Sequence, residues 1–61
     1  MTGGGPRTLP CGPLVLRITE EGVLWRWEIL RDDEIIQEGA SISPSAAERD
    51  GMKIAELLAR R

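Results

Sequence analysis

The chain has no histidine, tyrosine or phenylalanine, and only one cysteine, Cys11. Without histidine the usual general base near neutral pH is missing. One cysteine makes no internal disulfide, and no Cys/His cluster exists to hold a structural metal. No apolar run approaches the roughly 18 residues of a membrane span. The N-terminus lacks the charged-then-apolar pattern of a secretory leader. No excess of positive charge exists either: 8 Lys+Arg against 10 Asp+Glu leave −2, which does not favour phosphate backbones. At 61 residues there is room for one domain, burying roughly 60% of the surface it exposes when unfolded. The expectation is a small cytoplasmic domain that works by contact, without cofactor, nucleic acid or membrane.

Residues 1–13 hold Gly3, Gly4, Gly5 and Gly12 together with Pro6, Pro10 and Pro13, and few apolar side chains. Such a composition offers little burial against its ordering entropy, so the reading is a flexible tail followed by one domain over 14–61. From Leu14 the pattern becomes strict alternation. Leu14, Leu16 and Ile18 point one way; Val15, Arg17 and Thr19 point the other. Glu21-Gly22 interrupts, and glycine supplies the positive φ of a tight hairpin. A second run, Val23 to Arg31, alternates Trp25, Trp27 and Ile29 with Leu24, Arg26, Glu28 and Leu30. Asp32-Asp33 marks a second turn, and a third run covers Glu34 to Ile42.

With two-residue loops at both turns, Thr19 opposes Leu24, Ile18 opposes Trp25, Leu16 opposes Trp27, and Leu14 opposes Ile29. Across the second turn Ile29 opposes Ile36, Trp27 opposes Glu38, and Trp25 opposes Ala40. One face then collects Leu14, Leu16, Ile18, Trp25, Trp27, Ile29, Ile36 and Ala40, with Glu38 as the exception. Arg17, Thr19, Arg26, Glu28, Gln37, Gly39 and Ser41 share the other, beside Val15, Leu24, Leu30 and Ile35. A one-residue slip would mix these sets.

A helix follows. Ser43 suits the N-cap and Pro44 the first helical position. Ile42 and Ala47 stand where a hydrophobic staple would place them. Ala47, Gly51, Ile54, Ala55 and Leu58 form a stripe, and Arg60 and Arg61 suit the negative end of the helix dipole. The small pair Ala47 and Gly51 predicts a close approach to the sheet with a Trp ring beside it. The fold class expected is α+β: a three-stranded antiparallel meander covered on one face by a C-terminal helix.

No nucleophile–base set or phosphate loop is present, which argues against an enzyme. Trp25 and Trp27 read as core, or as aromatic anchors of an interface. Arg17, Arg26, Glu28 and Gln37 share the open face, with Arg17 opposite Arg26, and read as a docking patch or as a solvated surface. Leu14 to Ser43 hold seven acidic and three basic residues, net −4, but no ordered Asp-x-Asp-x-Asp loop for a hard cation. Cys11 offers a lone thiol for copper or redox sensing, or nothing.

Trp-Arg-Trp at 25–27, the charged turn, Ile-Ile-Gln-Glu-Gly at 35–39 and Ser-Ile-Ser at 41–43 resemble component D of soluble methane monooxygenase. The resemblance covers residues 23 to 55. It implies a noncatalytic regulatory protein that docks on the diiron hydroxylase, as an inhibitor or in assembly of the metal centre. The family pattern carries a longer N-terminal extension with aromatic and acidic residues, where this chain has a short Gly/Pro-rich segment. On that reading Arg17, Arg26, Glu28 and Gln37 contact the partner, while Trp25 and Trp27 hold the strand that presents them. Two alternatives stand beside it: a homodimer formed through the edge strands or open faces, and a Cys11-based sensor.

Overall fold

The computed structural model describes residues 7–60. The elements are β1 (Arg7–Cys11), β2 (Leu14–Glu21), β3 (Leu24–Arg31), β4 (Glu34–Ser41) and α1 (Pro44–Ala59). The four strands form one antiparallel sheet in sequential order, and α1 lies across one face, mainly over β2 and β3. The α+β class is as expected, but the sheet has four strands rather than three. Arg7–Cys11 pairs along β2, with Leu9 opposite Leu16 and Cys11 opposite Leu14. Leu9 and Cys11 are half-buried against the core, and Arg7 reaches Glu48 of α1 at 3.1 Å. Pro10 disguised this strand. Proline donates no ladder hydrogen bond and is tolerated in a sheet only at an edge, which is where β1 lies. The strand beginning at Leu14 is therefore internal, and the sheet edges are β1 and β4. Residues 1–6 of the expected tail, and Arg61 at the helix end, lie outside the described residues.

The first long hairpin turns one residue later than the alternation suggested. Its loop is Gly22-Val23, so Glu21 opposes Leu24, Ile18 opposes Trp27 and Leu16 opposes Ile29. Gly22 has φ +67°, and a positive φ at the first central residue is what a II′ connection requires. The pairing moves by two residues, an even number, so every side chain of β2 and β3 keeps its expected face. Asp32-Asp33 closes the next hairpin as expected, with φ 52° and 68°. Two successive positive φ values are the type I′ pattern, which Asp tolerates through its short polar side chain.

Beyond that turn β4 departs from the expected register. Leu30 pairs with Ile35, but Ile29 pairs with Gln37, leaving Ile36 as a bulge. One extra residue inverts the remainder of the strand. Gln37, Gly39 and Ser41 turn to the helix side, and Glu38 and Ala40 to the open side. The bulge removes the conflict in the unbulged pairing, which places the Glu38 carboxylate against Trp27 in the core. Gly39 takes that place instead. A Cβ on Gly39 would lie 2.4 Å from Cζ2 of Trp27, so only glycine leaves room for the indole.

Leu14, Leu16, Ile18, Ile29, Ala47 and Ala55 are fully buried, and Trp27 is 8% exposed. Each of the four large aliphatic side chains contributes on the order of 1.5–3 kcal/mol by leaving water. Gly51 brings α1 down onto the sheet as expected: a Cβ there would meet Leu16 Cδ1 at 2.6 Å and Trp27 Cβ at 3.3 Å. The helix opens on Ser43, whose Oγ accepts from the Ala46 backbone N–H at 3.1 Å, with Pro44 in the first turn. The expected staple does not form, because Ile42 is 83% exposed. Ser41, buried at the end of β4, donates to Asp50 at 3.0 Å and ties the strand to the helix. No described helix is long and apolar enough to cross a membrane.

Candidate docking face

One helix covers one side of a four-stranded sheet, so the other side has no partner within the described residues. Its side chains form rows because antiparallel register places them opposite one another. The first row is apolar across all four strands: Pro10, Val15, Leu30 and Ile35. Leu30 is half-buried and the other three are exposed. The second row reads Thr8, Arg17, Glu28 and Glu38, and the third Thr19, Arg26 and Ala40.

The charges are arranged as a lattice. Arg17 lies opposite Glu28, not Arg26, because of the two-residue displacement of the hairpin. Its Nε donates to Glu28 Oε1 at 2.9 Å and its Nη2 approaches the same oxygen at 2.8 Å. The Glu28 side chain is only 13% exposed, the least accessible charge in these ion pairs. Arg26 donates through Nη1 to Glu38 at 2.7 Å and through Nε to Glu21 at 3.1 Å. Glu28 and Glu38 are directly opposed, a like-charge contact that Arg26 and Arg17 offset from either side. The Arg26 guanidinium is pushed above its ordinary value, first by the hydrogen bond to Glu21 and then by the charges of Glu21, Glu38 and Glu28. Its positive charge therefore persists throughout the physiological range.

This face holds no nucleophile with an adjacent base. Among the described residues no group of three or more Cys, His, Asp or Glu side chains could share a metal ion. Every buried side-chain polar atom described has a partner. The face sets an apolar row beside a row of paired charges.

Over residues 19–54 the sequence matches the family described as methane monooxygenase component D. The chain belongs to this family. A comparison with curated proteins found no match. The component D segment runs from the end of β2 through β3 and β4 and along α1 to Ile54. It includes Trp25, Arg26, Trp27, Glu28, Glu38, the bulge at Ile36 and both close-contact glycines, Gly39 and Gly51. Arg17, Val15 and β1 precede it.

The structure gathers Arg17, Arg26 and Glu28 on the open face. Gln37 is elsewhere: the bulge carries it to the helix side of the exposed edge strand. Trp27 lies behind the face in the core, and Trp25 is half-buried against that core. Cys11 is half-buried at the end of β1. Sequence reasoning missed Glu38 and Glu21 as partners of Arg26, and the continuity of the apolar row. The available signal was the misfit of Glu38 on an otherwise apolar face, which marks a strand needing one extra residue.

Proposed function

We propose that this chain is a noncatalytic accessory protein of a methane monooxygenase. It acts in the cytoplasm by docking the open face of its sheet on the diiron hydroxylase and so modulating that enzyme's activity or assembly. Family membership supports the partner, and the uncovered face supports the mode of contact. The observation that carries the reading is the juxtaposition of the Pro10–Val15–Leu30–Ile35 row with the Arg17–Glu28 and Arg26–Glu38 pairs. The hydrophobic strip gains from apolar burial, and the ion pairs beside it set orientation from a rim that stays in water. The arginines present fixed geometry to the partner because each is held by a carboxylate. Trp27 acts indirectly, by bracing the middle strand from behind.

The test is binding to purified hydroxylase, read by fluorescence anisotropy of the labelled chain. Leu30→Glu puts an unpaired carboxylate in the middle of the row and weakens binding at least tenfold. Leu57→Glu, an exposed position on the helix, leaves binding within twofold. Equal binding by both variants, or no binding by the unaltered chain at micromolar concentration, overturns the proposal.

A further inference from the structure

The middle of the apolar row, Val15 and Leu30, borders a hollow beside the Asp32-Asp33 turn, with a volume of about 340 Å³. Val15, Leu30 and Pro13 supply apolar walls, and Arg17, Asp32 and Asp33 stand around them. We infer that this hollow receives one basic side chain, arginine or lysine, from the partner protein. This rests on the docking reading above and names the chemistry of its anchoring contact.

Three observations select that occupant. Arg17 is already engaged by Glu28 at 2.8 to 2.9 Å, so its charge is not free to draw an anion. Asp32 and Asp33 form no ion pair among the described residues, which leaves the hollow with two uncompensated carboxylates. The walls between them are aliphatic. An apolar pocket with a negative rim matches a side chain whose methylene stem packs on Val15 and Leu30 while its cationic head reaches the carboxylates. A calcium ion takes about six to eight oxygen ligands, whereas the hollow supplies only two carboxylates and the Thr8 hydroxyl, beside the cationic Arg17. The volume is near the lower end for ligand sites, enough for one long side chain and not for a folded element.

The turn itself makes the decisive variant available. Both residues have positive φ, and Asn-Gly is the preferred pair for that geometry. Asp32→Asn with Asp33→Gly therefore removes both carboxylates while keeping or improving the fold. Against purified hydroxylase at low ionic strength, this double variant binds at least tenfold more weakly than the unaltered chain, and the gap narrows in high salt. Glu20→Gln with Glu56→Gln removes the same charge from exposed positions elsewhere and stays within twofold. If the unaltered chain binds and the two double variants behave alike, the inference is overturned while docking stands. If the unaltered chain does not bind, an isotope-labelled sample is titrated with the peptide acetyl-Leu-Arg-Leu-amide and with its citrulline counterpart. Amide shifts at Val15, Leu30, Asp32 and Asp33 for the arginine peptide alone uphold the hollow and refute the hydroxylase as partner. Equal shifts for both peptides, or none at those residues, overturn the inference.

Discussion

Trp27 packs beside two glycines, Gly39 and Gly51, and substituting each in turn gives different outcomes for a calculable reason. At Gly39 a methyl group would stand 2.4 Å from Cζ2, 2.7 Å from Cε2 and 3.1 Å from Cη2 of the indole. Three atoms of one rigid bicycle are struck together, and that ring is held between β4 and α1. Relief requires the whole indole or the strand to move by about 1 Å, and such overpacking costs about 1–3 kcal/mol. The gain in backbone entropy from replacing glycine offsets about 0.4–1 kcal/mol. The expected net loss for Gly39→Ala is about 1–2 kcal/mol, or a fall in Tm of roughly 4–16 °C for a domain this small. At Gly51 the nearest atom is the tip of Leu16, Cδ1 at 2.6 Å. A rotamer adjustment there costs about 0.5–1.5 kcal/mol. Alanine in mid-helix returns about 1 kcal/mol, so Gly51→Ala is close to neutral. Urea unfolding followed by tryptophan fluorescence, with far-ultraviolet circular dichroism as a second probe, measures both. Trp27→Leu in the Gly39→Ala background should show favourable coupling, because the smaller side chain vacates the contested space. Gly39→Ala as stable as the unaltered chain, or Gly51→Ala the worse of the two, would refute the placement of the indole.

Other substitutions probe separate parts of the molecule. Ser43→Ala removes the acceptor for the Ala46 amide and costs about 1 kcal/mol, with faster hydrogen exchange confined to the first turn of α1. Leu9→Ala destabilises by roughly 1–2 kcal/mol, less than a fully buried leucine because this side chain is only half-buried; no change in the denaturation midpoint would remove β1 from the cooperative unit. Arg26→Ala leaves the denaturation midpoint close to that of the unaltered chain, since its ion pairs are solvent-exposed, while on the proposed docking mode it weakens hydroxylase binding. The raised value of Arg26 lies above its unfolded one, so any stabilisation it supplies is complete below the unfolded value. That stabilisation is lost only as pH climbs through the folded value. Replacing Arg26 therefore leaves the slope of stability between about pH 7 and pH 10 unchanged.

The face of each side chain in β2 and β3 was legible in the sequence, even though the first register was not. Alternation has a period of two, so any even displacement of a hairpin preserves it. The loop position turned on a finer matter, whether the glycine with positive φ stands first or second in the turn. That choice decided the charge lattice, since Arg17 meets Glu28 in one pairing and Arg26 in the other. The first strand was hidden because glycine and proline are read as signs of irregular chain. An edge strand can hold Pro10 when its outer side needs no hydrogen bond, and nothing local reveals that β2 will offer a free edge.

By itself the sequence determined the meander of Leu14 to Ser41, the buried identity of Leu14, Leu16, Ile18, Trp27 and Ile29, and a helix capped at Ser43 with small residues toward the sheet. These follow from periodicity, turn chemistry and capping, which act over a few residues. Tertiary structure decided the addition of β1, the bulge at Ile36, the exchange of Gln37 for Glu38 on the open face, and the hollow beside Asp32-Asp33. Each depends on what stands across a strand or beneath a helix. An indole needing space opposite Gly39 and a carboxylate needing water are satisfied together only by inserting one residue, and no local preference along the chain specifies where that insertion falls.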